Sequence, residues 1–117
     1  MTLAIDFDGT ITQQNLYPDI GPFRPYAIEV LKKLQEKGHI ICLWTCRNGE
    51  TLKAALNSLK AAGFVPDFAN SAQFTTGSPK IVANMYIDDA AYPNCLEADE
   101  YKVDWKEIAS YFDIELG

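Results

Sequence analysis

Residues 3–11, LAIDFDGTI, end a short apolar run with two carboxylates, Asp6 and Asp8, on either side of Phe7. Side chains two apart on an extended strand point the same way, so both acids can face one reacting centre while Phe7 turns back toward packing. Gly9 lets the chain bend sharply after them. Two more acids, Asp88 and Asp89, end a second apolar run, and Thr45 ends a third. Four carboxylates gathered in one crevice repel one another unless a cation joins them. Oxygen ligands without clustered His or Cys favour Mg²⁺, which also leaves positions for water and a substrate phosphate. One carboxylate could then attack phosphorus as a nucleophile.

The elements that must bring these groups together are legible as periodic segments. Residues 1–7 predict a buried strand, residues 12–25 a loop with three prolines and a glycine, and residues 25–37 a helix with Ile28, Val30, Leu31 and Leu34 inward. A second strand is expected over 39–45 and a second helix over 49–63, with Leu52, Ala55, Leu56 and Leu59 inward. A short strand follows over 64–70, interrupted by Pro66, and another over 83–89. A last helix over 104–112 starts from Asp104 with Glu107 three residues on, a pattern like a capping box. Strands alternating with helices imply βαβ crossovers. The expected fold is α/β, a Rossmann-like, mainly parallel sheet with helices on both faces, as a single domain over 1–117. Ligands of such sheets bind beyond the carboxyl ends of the strands, where Asp6, Asp8, Thr45, Asp88 and Asp89 all fall.

Composition narrows the partners. The chain has 117 residues, 48% of them apolar, and 10 basic against 16 acidic residues give a net charge of −6. That balance argues against general nucleic-acid binding, which needs a basic stripe. No stretch approaches the ~18 apolar residues of a membrane span, and no basic region precedes the first apolar run, so a cytoplasmic protein without a membrane partner is expected. Three cysteines without zinc-like pairing, Cys42, Cys46 and Cys95, suggest free thiols, Cys42 as a small core residue and Cys46 at a strand end.

DFDGTI resembles motif I of the haloacid dehalogenase superfamily, Asp-x-Asp-x-Thr after an apolar strand. ICLWT resembles motif II, Lys80 in SPKIVANMYIDD resembles motif III, and YIDD resembles motif IV. The four occur in the family's order over residues 3–89. The resemblance implies Asp6 as nucleophile, forming an aspartyl-phosphate, and Asp8 as general acid and then base, with its backbone carbonyl on the metal. It implies Thr45 and Lys80 at the phosphoryl group, Lys80 also pairing with Asp6, and Asp88 and Asp89 as Mg²⁺ ligands, Asp89 directly or through water. Thr10 would help hold Asp8 and belongs with Arg47 to the expected substrate-binding set. Asp8 would need a pKa above the free value of about 3.9 to carry its proton. Dehalogenating relatives lack this second acid and transport ATPases carry Thr there, so Asp8 favours a phosphatase or phosphotransferase.

The remaining candidates have plainer readings. His39, Trp44 and Tyr86 are expected to be structural, and the acidic run over 97–101 a solvated loop. Tyr17, Asp19 and Arg24 lie on the loop after motif I, where they could touch substrate. The stretches from Thr10 to Thr45 and from Thr45 to Lys80 each hold one loop and one helix, too little for a cap domain. The resemblance is thus to a minimal, capless phosphatase. An open crevice suits a macromolecular phosphate end, or a small phosphate ester roofed by a second subunit. Two other classes share the residue types: a receiver-like phospho-acceptor, whose acidic pair would come first in the chain, and a non-catalytic binding protein on the same scaffold.

Overall fold

The computed structural model of the chain describes residues 1–71, 79–92, 94 and 103–117. Four strands form one parallel sheet: β1 (Thr2–Ile5), β2 (Ile40–Leu43), β3 (Phe68–Ala69) and β4 (Met85–Ile87), in the order β3-β2-β1-β4. Helix α1 (Ala27–Glu36) links β1 to β2, α2 (Gly49–Ala61) links β2 to β3, and α3 (Trp105–Tyr111) follows β4. This is the α/β, Rossmann-like arrangement expected, and no cap is present among the described residues.

Alternation along the strands splits the core in two. Leu3 and Ile5 of β1 and Ile41 and Leu43 of β2 face one side. There they pack with Val30, Leu31 and Leu34 of α1, Ala55 and Leu59 of α2, and Trp105 and Ala109 of α3. Leu52 and Leu56 pack against this core half-buried, as does Ile28. Ala4 and Cys42 face the other side and meet Ile81, with Ile40, Trp44, Phe68 and Ala83 around them. The described helices therefore share one core on one face of the sheet. The reason lies in the strand order. The chain steps from β1 to β2 to β3 in one direction, and right-handed crossovers then put both helices on one face. The return to β4 reverses that direction, and Ile81 and Ala83, just before β4, line the other face. Residues 72–78 of that crossover lie outside the described set, as do Cys95 and the acidic run over 97–101.

Local chemistry sets the element ends. Asp104 accepts hydrogen bonds from Lys106 N–H (3.0 Å) and Glu107 N–H (3.3 Å), capping α3 as its sequence suggested. His39 is structural, its Nδ1 3.1 Å from the Met1 amino group. Tyr86 is exposed rather than in the core, because β4 is an edge strand of the described sheet. No described helix is long and apolar enough to cross a membrane.

Helix α3 also reaches the strand-end loop. Trp105 is buried, and its Nε1–H donates to the Thr10 carbonyl at 2.9 Å. Replacing Trp105 by Phe keeps a buried ring but strips that carbonyl of its donor. We expect a loss of about 1–3 kcal/mol, read as a lower urea midpoint; an unchanged midpoint would show that α3 does not brace the loop.

Candidate active site

Strand register does the first assembly. Ile5 pairs with Ile87 across β1 and β4, so Asp6 and Asp88 fall on the next rung, and Asp6 N–H donates to the Ile87 carbonyl at 3.0 Å. Ile5 also pairs with Leu43, which carries Thr45 to the same end of the sheet. Phe7 is fully buried in the helix-side core, as its place between two outward acids requires. A cavity of about 530 Å³ opens beyond the strand ends. Asp6, Asp8, Thr45, Asp88 and Asp89 all line it.

The loop after β1 is folded by its own glycine and threonines. Gly9 has φ +82°, and a Cβ there would sit 2.4 Å from Asp89 Oδ2, so only glycine permits this close approach. Gly9 N–H donates to Thr12 Oγ1 at 3.0 Å. Thr10 is fully buried. Its hydroxyl donates to Asp6 Oδ2 at 2.9 Å and accepts from Asp89 N–H at 2.9 Å. Thr10 therefore holds Asp6 and Asp89, where the sequence reading had it holding Asp8 and touching substrate. A buried hydroxyl with both roles taken has no reach into the cavity.

Asp6, Asp88 and Asp89 each offer an oxygen within 4.8 Å of the others'. This crowding acts on their protonation. Burial, then the Asp88 charge, with Asp89 adding, pushes the Asp6 carboxyl up to about 8, against the Thr10 hydroxyl bond. Burial, with Asp89 alongside, also raises Asp88, opposed by the Ala90 N–H. Three half-buried carboxylates in mutual repulsion form an all-oxygen donor set, which fits a hard divalent ion such as Mg²⁺. Asp8, expected on the metal only through its backbone carbonyl, turns its carboxylate to Arg47. Both its oxygens accept from Arg47, Oδ2 from Nε at 2.7 Å and Oδ1 from Nη2 at 2.7 Å.

The other expected residues fall out differently. Thr45 lines the cavity, and its Oγ1 accepts from Arg47 N–H at 3.2 Å. Arg47 is buried, and the Asp8 hydrogen bonds raise its pKa. Lys80 lies with Nζ 5.1 Å from the Tyr86 ring centroid and is not among the residues lining the cavity. Arg24, a candidate substrate contact, is instead buried, with Nε and Nη2 donating to the Gly9 carbonyl at 3.2 and 2.6 Å. Of the other two loop candidates, Tyr17 lines the cavity, together with Asn15, while Asp19 presents its carbonyl to Arg47 at 2.7 Å. Cys46 is exposed on the cavity wall and Cys42 buried.

Two contributors carry no motif signal. Asn70, at φ 56°, accepts from Thr45 N–H at 2.8 Å and donates to the Arg47 carbonyl at 3.0 Å, clipping the turn after β2. Asn tolerates this left-handed conformation, the one hint its sequence position offered. Trp105 is the other, and its apolar ring gave no hint of the Thr10 contact.

The raised carboxyls fix a pH dependence for the metal-free protein. An acid whose folded-state pKa is raised contributes stability that is full below its unfolded value and lost as pH rises through the folded one. For Asp6 that window runs from 3.8 to about 8. In chelator, Tm should fall between about pH 4 and about pH 8, and Asp6→Asn should flatten the fall, raising Tm near pH 8 by roughly 5 °C. Adding Mg²⁺ should restore the wild-type Tm. A metal-free Tm that climbs across this range would refute the crowding.

Comparison with known proteins agrees with this geometry. The chain matches the family described as haloacid dehalogenase-like hydrolase over residues 3–112. Among solved structures it is similar to a conserved protein from Bacteroides thetaiotaomicron, at 35% identity and a TM-score of 0.82. The likeness covers 97% of this chain and 89% of that one. No curated protein matches.

Proposed function

Because the chain belongs to the haloacid dehalogenase-like hydrolases, we propose that it is a Mg²⁺-dependent phosphomonoesterase working through Asp6. The observation that carries this reading is the meeting of Asp6, Asp88 and Asp89 within 4.8 Å, with Asp8 on the same cavity wall. Mg²⁺, held by those three acids, would neutralise their charge and draw charge from the phosphoryl oxygens.

The chain's own residues supply the rest. The Asp6 carboxylate attacks phosphorus and the bond to the leaving oxygen breaks. Asp8 delivers a proton to that oxygen, so the first product leaves as an alcohol. Water then attacks the phosphorus of the phosphorylated Asp6, giving its proton to Asp8, and the P–O bond to Asp6 breaks to release phosphate. Both aspartates return to their starting states. The Thr45 hydroxyl and turn N–H groups would bind the phosphoryl oxygens. Lys80, stacked on Tyr86, is assigned no step.

With no cap over the cavity among the described residues, the substrate is a phosphate end on a macromolecule or a small ester roofed by a second copy of the chain. Expected kinetics follow from the roles. The protein should hydrolyse 4-nitrophenyl phosphate with Mg²⁺, and chelation should abolish turnover. Asp6→Asn should lower kcat by about 10³-fold or more. Asp8→Asn should cost about 10²–10⁴-fold on an alkyl phosphate, whose leaving group needs the proton. Purified protein inert across a broad panel of phosphate esters would sink the proposal.

A further inference from the structure

We propose that Arg47 is the positioning residue of this site: its guanidinium holds Asp8 and the loop after β1 in register, and keeps no donor for the phosphoryl group. The inference rests on the phosphomonoesterase reading and assigns one of its parts.

A guanidinium carries five N–H donors. Each has an acceptor here. Nε donates to Asp8 Oδ2 at 2.7 Å, and Nη2 to Asp8 Oδ1 at 2.7 Å and to the Asp19 carbonyl at 2.7 Å. Nη1 donates to the Pro18 carbonyl at 3.1 Å and to the Thr51 carbonyl at 3.2 Å. The Arg47 side chain is 1% exposed, against 10% for Asp8. An arginine that binds a phosphoryl group must keep donors for it. This one has spent them all on the protein.

The connections say what the residue does. Asp8 belongs to the end of β1, Pro18 and Asp19 to the loop, and Thr51 to the first turn of α2. One planar fork thus ties three segments together. The guanidinium carbon also lies 5.4 Å from the Phe7 ring centroid and 5.2 Å from that of Tyr17, within cation–π reach of both. Its backbone is fixed too, through the Asn70 amide. With both carboxylate oxygens engaged, Asp8 has a single orientation on the cavity wall. The loop drawn down by the same group sets Asn15 and Tyr17 on that wall. Lysine has no planar fork and cannot reproduce the pattern.

A proton donor must stand about 2.6–3.2 Å from the leaving oxygen, and an error of about 1 Å can cost about 10²-fold. A leaving group that departs without a proton escapes that penalty. The test is single-turnover release of the alcohol from an alkyl phosphate, or of 4-nitrophenol from 4-nitrophenyl phosphate, by Arg47→Lys and wild type, with Mg²⁺ and enzyme in excess. Steady-state KM is measured alongside, and single turnovers are read because the later attack of water uses Asp8 with either ester. We expect the single-turnover rate on the alkyl ester to fall about 10²-fold and on the aryl ester less than about tenfold, with KM within about threefold. Equal losses on both esters would make Arg47 merely structural. A KM increase of about tenfold or more at constant kcat would make it a phosphate ligand. Either result overturns the proposal.

A wild-type measurement covers a variant that does not fold. The Arg47 Nε–H should stay protected from solvent exchange in NMR spectra when Mg²⁺ and inorganic phosphate are added; lost protection overturns the proposal. Wild type inert toward both esters defeats the phosphomonoesterase reading, and the exchange measurement still decides whether Arg47 is committed to the protein or to phosphate.

Discussion

Like charges held in a small, half-buried volume organise this molecule. Carboxylate oxygens of Asp6, Asp88 and Asp89 come within 4.8 Å of one another, and burial, with their repulsion added, pushes the Asp6 carboxyl up to about 8. Nothing about such a cluster favours folding. It persists because the hydrophobic sheet on which the acids sit is fixed by other means: Leu3, Ile5, Ile41 and Leu43 are fully buried beneath the helices. The core therefore holds in place a strand end whose crowded carboxylates would otherwise move apart, the kind of tension that clusters at functional sites.

The fourth acid is handled in the opposite way. Asp8 is only two residues from Asp6, yet it is paired bidentately with a buried arginine. Two aspartates of identical chemistry thus occupy contrasting surroundings, one among anions and the other against a cation.

Around this pair the protein concentrates buried polar contacts on one short loop. Arg24 grips the Gly9 carbonyl, Trp105 the Thr10 carbonyl, and Thr12 the Gly9 N–H. Each satisfies a backbone group that close packing would otherwise strand without water. Residues from the loop itself, from Arg24 just before α1 and from α3 converge there. The loop is consequently held by the whole fold rather than by its own turn, which is what a site requiring sub-ångström placement demands.

Much of the architecture is legible in the residues alone, because it is local. Period-two and period-3.6 apolar patterns locate the strands and helices, the Asp104 cap marks the start of α3, and Asp6 and Asp8 flanking a buried Phe7 identify the strand end where chemistry would sit. The ordered motifs likewise tie Asp88 and Asp89 to Asp6. The assignments that only the tertiary structure decided are pairings between distant residues: Thr10 with Asp6 and Asp89, Arg47 with Asp8, Arg24 with the Gly9 carbonyl, Lys80 over Tyr86. A threonine or arginine near a motif has several partners within reach of its side chain. Which one it takes depends on strand register, crossover direction and the path of the loop, and those are settled by packing across the whole chain rather than by the sequence around the residue.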